Sequence, residues 1–157
     1  MSVAFRRDSD EEHLEPRFEL PLPPGPNLVT PRGLGLIEAR NAELEAALAA
    51  TGDAEQRKAI ARDLRYWRSR LVSAQLAPPA TGEIVAIGTS VTLGQAGRPR
   101  TLAIVGHDEA DPAHGRLAFT APLARALLGA EVGEDVALGD ATLTIVAIAL
   151  GDITTSA

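Results

Sequence analysis

The chain has 157 residues, of which 45% are hydrophobic, 23% charged and 3% aromatic, and its formal net charge is −6. This composition is typical of a globular protein, and the negative charge argues against a protein that coats DNA or an anionic membrane. The chain has no cysteine, which excludes disulfides, thiolate metal sites and a cysteine nucleophile. It has no apolar run long enough for a signal peptide or membrane span, so we expect a cytoplasmic protein without membrane contact.

Residues 1–29 have the composition of a tail. A cluster of charged residues at positions 6–12 precedes five prolines between positions 16 and 26. Such a composition favours extended or disordered chain over packed structure. We therefore expect a disordered, acidic and proline-rich segment.

Residues 30–77 carry the spacing of two amphipathic helices. The inward positions recur every three or four residues, which places them on one narrow face of each helix. These positions are Leu34, Ile37, Asn41, Leu44 and Leu48, then Ile60, Leu64, Trp67, Leu71 and Ala74. Only the three residues 51–53 form the turn between the two predicted helices, so the helices must lie antiparallel as a hairpin.

The helix ends are marked by residues that start and stop helices. Thr30 is a good N-cap before a proline, and Gly52 is a natural left-handed terminator. Asp53 caps the second helix, with Gln56 three residues later as in a capping box, and the prolines at 78 and 79 stop it near residue 76 or 77. Each arm of about 20 residues is then roughly 30 Å long.

The two arms carry opposite charge. The first has Glu38, Glu43 and Glu45, and the second has Arg57, Lys58, Arg62, Arg65, Arg68 and Arg70. Pairing between the arms accounts for part of this asymmetry, at a few tenths of a kcal/mol per pair. The remaining positive charge leaves a basic face, with Arg57, Arg62 and Arg65 as candidates for contact with an acidic or nucleic-acid partner.

The rest of the chain changes to a β pattern after a linker at residues 78–82. Short β-branched or alternating runs are separated by turn residues, at positions 83–93, 100–105, 115–119, 134–138 and 141–149. One short helix is predicted at residues 122–128. We expect an α+β fold in which the hairpin precedes a small antiparallel sheet domain at residues 83–150, followed by a tail at 151–157.

One loop contains the densest group of potential metal ligands. His107, Asp108, Glu109, Asp111 and His114 follow one another in the chain. Their spacing does not converge on one ion, so we predict an acidic surface loop and no metal site.

The motifs resemble those of the bacterial GreA/GreB transcript cleavage factors. The resemblance is carried by the segments 30–34 (TPRGL), 73–75 (SAQ), 104–111 (IVGHDEAD), 122–129 (PLARALLG) and 132–136 (VGEDV). It extends from the start of the first helix to the end of the chain. The opening residues and the acidic tail are similar to those of GreB-like members.

The resemblance implies a partner, bacterial RNA polymerase. In the family, an FKBP-like C-terminal domain docks on the rim of the secondary channel, and the hairpin reaches toward the active centre and the nucleic acid. By that analogy Asp108, Glu109, Asp111, Pro122 and Arg125 lie on or near the docking surface. Two acidic tip residues of the family help to bind a second Mg²⁺. The polymerase remains the enzyme, so the resemblance implies neither catalysis by this chain alone nor a cofactor of its own.

Two features depart from the family pattern. The tip candidates Asp53 and Glu55 are two residues apart, whereas the family pair is three apart, and their alternative role is to stabilise the start of the second helix. The arms are shorter by roughly a dozen residues each, or about 18 Å of reach, as in Rnk-type members. Ala121 and Ala130 also replace a usual Ser and Lys.

Three functions follow as expectations. The first is a polymerase-binding regulator of elongation that acts through the secondary channel with weak or no stimulation of cleavage. The second is an active cleavage factor that uses Asp53 and Glu55 with the polymerase Mg²⁺. The third is an FKBP-like peptidyl-prolyl isomerase, which we rank last because such a pocket needs aromatic walls and Phe119 is the only aromatic between positions 81 and 157.

Overall fold

The computed structural model describes residues 19–151, and the chain divides into two compact units. Within the described residues, the hairpin unit comprises residues 19–25 and Ile37–Ser73, and the sheet unit comprises Pro26–Leu36 and residues 74–151. Residues 1–18 of the predicted tail at 1–29, and residues 152–157 of the predicted tail at 151–157, lie outside the described residues. Within residues 19–151, none of the helices combines the length and the apolar character needed to span a membrane.

Two helices of 20 residues each form the predicted hairpin, α1 at Pro31–Ala50 and α2 at Ala54–Ser73. They lie antiparallel, because Asn41 Nδ2 donates to the carbonyl of Trp67 at 3.0 Å and the next contact, nearer the turn, joins residues 48 and 57. Ile37 and Leu64 of the seam are at most 2% exposed, whereas Leu71 is 36% exposed. The predicted seam is therefore buried in its middle and open toward the end of α2.

The turn between the helices differs from the prediction in one respect. Gly52 does not have a positive φ, so it is not the left-handed terminator that the sequence suggested. Instead Arg57 Nη1 donates to the carbonyls of Leu48 at 2.7 Å and Thr51 at 3.0 Å. A guanidinium from α2 thus satisfies carbonyls that the end of α1 leaves without helical partners.

A pair of parallel strands belongs to the sheet unit. Strand β1 at Asn27–Val29 pairs with β2 at Ala74–Leu76. Helix α2 ends at Ser73, earlier than the predicted residue 76 or 77, because the next three residues form β2. The expectation that residues 1–29 form a disordered tail is wrong for β1, whose Val29 is only 3% exposed.

The remaining strands form one five-stranded sheet in the order β5-β4-β3-β7-β6. The strands are β3 Thr89–Gln95, β4 Arg98–Val105, β5 Arg116–Ala118, β6 Asp135–Leu138 and β7 Ala141–Leu150. The pairs are antiparallel except β4 with β5, which is parallel. The prediction of an α+β fold with an antiparallel sheet is confirmed, and β5 adds one parallel pair at the edge of that sheet.

The first predicted strand begins later than expected, at Thr89 rather than residue 83. Gly88 has a φ of 94°, which favours glycine, and Thr89 Oγ1 donates to the Ala86 carbonyl at 2.7 Å. This turn separates residues 83–88 from the ladder.

The core of the sheet unit is aliphatic, as the composition predicts. Helix α3, at Pro122–Leu127, buries Ala124 and Leu127 completely. They belong to one cluster with Val85, Val91, Leu93, Leu102, Ile104, Ala130, Leu143 and Ile145. Phe119 packs against this cluster with a partly buried ring and also lines an apolar groove of about 410 Å³.

Candidate functional site

The tip of the hairpin holds the two carboxylates that the sequence singles out. Asp53 Oδ2 accepts a hydrogen bond from the backbone N–H of Gln56 at 2.9 Å, which confirms its role as N-cap of α2. The Gln56 side chain does not complete the predicted capping box, because its Oε1 accepts from Thr51 Oγ1 at 2.7 Å. The hydrogen bond from the Gln56 N–H therefore holds the Asp53 carboxylate at the start of α2.

Glu55 is placed differently from Asp53. Its side chain is 84% exposed, with Lys58 Nζ at 3.8 Å from its Oε1. Among residues 19–151, no group of three or more His, Asp or Glu side chains is arranged to hold a metal ion. The tip offers at most two carboxylates, so a cation bound there would need further ligands from another molecule.

The structure separates the three arginines predicted to form a basic face. The Arg57 guanidinium is bonded to the turn carbonyls described above, whereas Arg62 and Arg65 lie further along α2. Arg65 Nη2 lies 2.8 Å from Glu19 Oε1. Arg70, which the sequence counted among the basic residues of this arm, is buried at 4% exposure. The accessible basic surface is thus smaller than the sequence suggests.

The start of α1 and the loop after β4 meet at a buried carboxylate within the sheet unit. Glu109 Oε1 accepts a hydrogen bond from Thr30 Oγ1, and Glu109 Oε2 lies 2.8 Å from Arg32 Nη1. The Thr30 hydroxyl also accepts from the Gly33 N–H at 3.0 Å, as an N-cap does. We call Thr30, Arg32, Gly33 and Glu109 the Glu109 junction.

Two glycines permit the close approach of chain segments, one at the Glu109 junction and one between β1 and the loop after β4. A Cβ on Gly33 would lie 2.7 Å from Glu109 Oε1, and a Cβ on Gly106 would lie 2.6 Å from the Leu28 carbonyl oxygen. Both distances are shorter than real Cβ contacts allow. At Gly106 the neighbour is backbone, so packing requires glycine there; at Gly33 a side chain would force the Glu109 carboxylate to move.

The burial of Glu109 corrects one part of the predicted docking surface. Its side chain is only 2% exposed and both of its oxygens are occupied, so the prediction of an acidic surface loop is wrong at this residue. Asp108 and Asp111 are partly buried, and Asp111 Oδ2 lies 2.6 Å from His114 Nδ1. Pro122 is exposed.

Arg125 is exposed in the last turn of α3. The helix begins without a side-chain cap, because residue 121 is alanine. With Asp108, Asp111 and Pro122, Arg125 completes the set of accessible or partly accessible residues from the predicted docking surface. Their role remains a prediction.

Sequence reasoning missed the Glu109 junction itself. The signal was present, because Thr30, Arg32 and Gly33 stand in one segment of the family resemblance and Glu109 in another. Nothing in the spacing of two segments more than 70 residues apart indicates that they touch. The contact between Glu19 and Arg65 was missed for the same reason.

The chain matches a family and several curated proteins. The family model described as transcription elongation factor GreA/GreB, C-terminal, matches residues 80–149. Transcription elongation factor GreA of Pseudomonas putida is 34% identical over 145 residues, which cover 87% of this chain and 84% of the relative. GreA of Thioalkalivibrio sulfidiphilus is 35% identical, with 69% and 70% covered. The match to GreA of Desulfovibrio desulfuricans is 36% identical and covers 62% of this chain but only 59% of the relative.

Solved structures are also similar to this chain. GreA factor homolog 1 (Gfh1) of Thermus thermophilus aligns with a TM-score of 0.39 at 18% identity, covering 79% of this chain and 99% of the other. The GreA/GreB elongation factor of Nitrosomonas europaea aligns with a TM-score of 0.40 at 16% identity, covering 80% and 99%. The sequence relationship is the stronger finding: from its 34% identity across most of the Pseudomonas putida protein, this chain belongs to the GreA/GreB family of transcription elongation factors.

Proposed function

We propose that this protein binds RNA polymerase and regulates transcript elongation by inserting its helical hairpin into the secondary channel, with weak or no stimulation of transcript cleavage. Membership of the GreA/GreB family supports the partner and the process. In this proposal the polymerase carries out all chemistry and supplies any Mg²⁺.

The geometry of the hairpin tip is the observation that carries the weak-cleavage part of the proposal. Of the two acidic side chains there, Asp53 caps α2 and Glu55 extends into solvent beside Lys58. The two helices of 20 residues are each about 30 Å long at 1.5 Å per residue. In this proposal the hairpin occupies the secondary channel, and its tip does not place two carboxylates on one metal ion.

The docking part of the proposal uses the accessible residues of the sheet unit. Asp108, Asp111, Pro122 and Arg125 are the proposed contacts. Glu109 has a structural role in this proposal instead of a direct contact, because its buried carboxylate holds the loop of Asp108 and Asp111 against the start of α1. A defined loop conformation lowers the entropy cost of binding.

Binding is tested by co-purification of the tagged full chain with core RNA polymerase at low salt. We expect a stoichiometric complex, and we expect Arg125→Glu to weaken it because the charge at an exposed contact is reversed. The matched control is Arg100→Glu, which reverses an exposed arginine outside the proposed contacts. Absence of a complex with the unmodified chain at low salt would refute the proposal.

Cleavage is tested separately on backtracked elongation complexes supplied with Mg²⁺ and saturating protein. We expect no more release of short 3′ RNA fragments than the polymerase gives alone. Strong release would instead favour the active cleavage factor. In that case Asp53→Asn with Glu55→Gln should abolish it, because asparagine retains the helix cap while both charges are lost.

A further inference from the structure

A small apolar pocket of about 100 Å³ lies in the sheet unit, between the first turn of α3 and the strands. Leu93 of β3 and Leu143 of β7 line it and are only 2% and 5% exposed. Half-buried side chains from α3, β6 and β7 complete the apolar lining, namely Leu123, Leu138 and Ala141. Described residues therefore bound the pocket from both the sheet and the helix, and we call it the leucine pocket.

The size and lining of the leucine pocket limit what it can hold. Pockets for drug-sized ligands usually have volumes of about 300–1,000 Å³, so this one is too small for such a ligand. A nucleobase needs an aromatic ring to stack on, and none of the described lining residues is aromatic. One aliphatic side chain fits both the volume and the apolar lining.

Polar side chains of the β3–β4 hairpin stand at the edge of the leucine pocket. Gln95 and Arg100 line it directly. In the ladder Arg100 lies opposite Leu93 and Arg98 lies opposite Gln95, so all four side chains share one face of the sheet. Arg98 and Arg100 are exposed and lie about 7 Å apart along the strand.

The two arginines have charges that this chain does not neutralise locally. Within residues 19–151, neither guanidinium has a hydrogen-bond or ion-pair partner. Asp140, which precedes the lining residue Ala141, is exposed and forms no ion pair with them. In a chain whose net charge is −6, this is a local positive patch beside an apolar pocket. An anionic group next to an aliphatic one would complement it.

The turn of the β3–β4 hairpin holds the arginines in place. The ladder continues without interruption to the pair Gln95 and Arg98, so only Ala96 and Gly97 form the turn. Their φ angles are 52° and 79°, as in the two-residue turns whose twist matches that of the paired strands. The patch is therefore presented by a regular hairpin, which lowers the entropy cost of binding.

The outer edge of β4 is a less suitable binding surface than its face. Strand β5 pairs with β4 only at residues 103–105, so no described strand covers residues 98–102 on that side. Ala103 directs its N–H to that side, toward the Gly115 carbonyl at 2.8 Å, and Pro99 shares this direction but has no N–H. Proline and charged residues at an edge disfavour the addition of another strand. A partner should therefore contact the face that carries the leucine pocket.

We propose that the leucine pocket, together with Arg98 and Arg100, is a docking site for an extended acidic segment of a partner protein. One aliphatic side chain of the segment enters the pocket, and neighbouring carboxylates accept charge-assisted hydrogen bonds from the two guanidinium groups. Carboxylates two positions apart in an extended segment match the spacing of the arginines, about 7 Å. The site goes beyond the proposed function, because none of the proposed polymerase contacts lines the pocket.

A peptide titration of the full chain tests the proposal. The probe is the blocked peptide acetyl-Gly-Leu-Glu-Gly-Asp-Gly-amide, and the readout is the leucine methyl NMR spectrum at low salt. We expect saturable shifts of the signals from Leu93, Leu123, Leu138 and Leu143, with a dissociation constant below about 1 mM. The signal of Leu64, in the hairpin unit, should not move.

Two altered peptides and two variants separate the apolar and the charged contributions. Replacing the peptide leucine by serine, or both of its carboxylates by amides, should weaken binding at least about tenfold. Arg98→Gln combined with Arg100→Gln should have an effect of the same size. The matched control combines Arg40→Gln with Arg68→Gln, which removes two exposed arginines of the hairpin unit. It should leave the dissociation constant within about twofold, because the change is remote and screened.

Several results would overturn the proposal. These are the absence of shifts at the leucine pocket with millimolar peptide, equal affinity for the amide peptide, and equal affinity of the two double variants. Stronger pocket shifts with oligouridine than with the peptide would assign the site to nucleic acid instead, and pocket shifts on dilution of the chain alone would assign it to a second copy. The titration contains no polymerase, so its failure and the failure of the proposed function are distinguishable.

Discussion

Thr30 and Glu109 lie 79 positions apart in the chain and are joined by a hydrogen bond from the Thr30 hydroxyl to Glu109 Oε1. The same hydroxyl accepts from the Gly33 N–H, so one side chain both caps α1 and contacts the loop after β4. Arg32 occupies the second carboxylate oxygen at 2.8 Å. Thr30 and Arg32 are hydrogen-bond partners of the same Glu109 carboxylate. The effects of substituting two of these residues on the free energy of unfolding should therefore not be additive.

The first prediction concerns the carboxylate itself. Glu109→Ala should lower the free energy of unfolding by about 2–3 kcal/mol, because Thr30 and Arg32 lose a partner that is almost fully buried. The measurement is urea unfolding followed by circular dichroism. Glu83→Ala, at an exposed position, is the control and should change stability by less than about 0.5 kcal/mol. Similar values for the two variants would contradict a structural role of Glu109.

The second prediction compares two glycines of the same helix. Gly33→Ala should be destabilising, since the new methyl would lie 2.7 Å from Glu109 Oε1, whereas a methyl added at Gly35 would meet no neighbouring group within 4 Å. Gly35→Ala should therefore stabilise by up to about 1 kcal/mol through helix propensity. Thermal unfolding of both variants gives the test. Shifts of the melting temperature in the same direction would show that the close approach at Gly33 is absent.

The third prediction concerns Asn41 in the hairpin seam. Its Nδ2 donates to the carbonyls of Ile37 at 2.9 Å and Trp67 at 3.0 Å, while its buried Oδ1 has no partner among the described residues. Asn41→Leu should raise the free energy of unfolding by about 1 kcal/mol, because an unsatisfied acceptor is replaced by apolar surface in the seam. A lower unfolding midpoint in urea would mean that the bond to Trp67 outweighs the unpartnered oxygen.

The fourth prediction separates capping from charge at the tip. Asp53→Ala should cost about 1 kcal/mol of stability, because the N–H of Gln56 loses its acceptor. Asp53→Asn should retain most of that stability, since asparagine is an equally good N-cap. Chemical unfolding of the two variants decides between these effects. An equal loss in both would indicate that the charge at the end of α2, rather than the hydrogen bond, stabilises the tip.

The parts of the fold that rest on local patterns are the parts that the sequence predicts. The hairpin followed from helical spacing and from caps such as Thr30 and Asp53, and the sheet followed from alternating runs between turns. Gly52 shows the limit of such rules, because the Arg57 side chain of the next helix bonds the Leu48 carbonyl and Gly52 is not left-handed. The short strand at Asn27–Val29 was hidden for a similar reason, since its partner lies 47 residues further along the chain.

The candidate site also contains features that local patterns predict and features that depend on contacts between distant parts of the chain. Glu55 and Arg125 are exposed, as the sequence predicts for charged residues. Such exposure can be predicted because an exposed charged residue needs no particular partner. Glu109 was misjudged, since a charged residue in a loop is ordinarily solvated and its burial depends on Thr30 and Arg32 being brought to it by the fold. Long-range pairing of polar groups is thus the information that the spacing of residues does not contain.

The central claim is most directly tested by the distance between the hairpin tip and the catalytic Mg²⁺ in a cryo-electron microscopy structure of the complex with a backtracked RNA polymerase. The account predicts that the hairpin lies in the secondary channel and that the carboxylate oxygens of Asp53 and Glu55 stop short of the metal, by a gap on the order of 10–20 Å given the shorter arms. A carboxylate of either residue within about 2.0–2.1 Å of Mg²⁺ would contradict it.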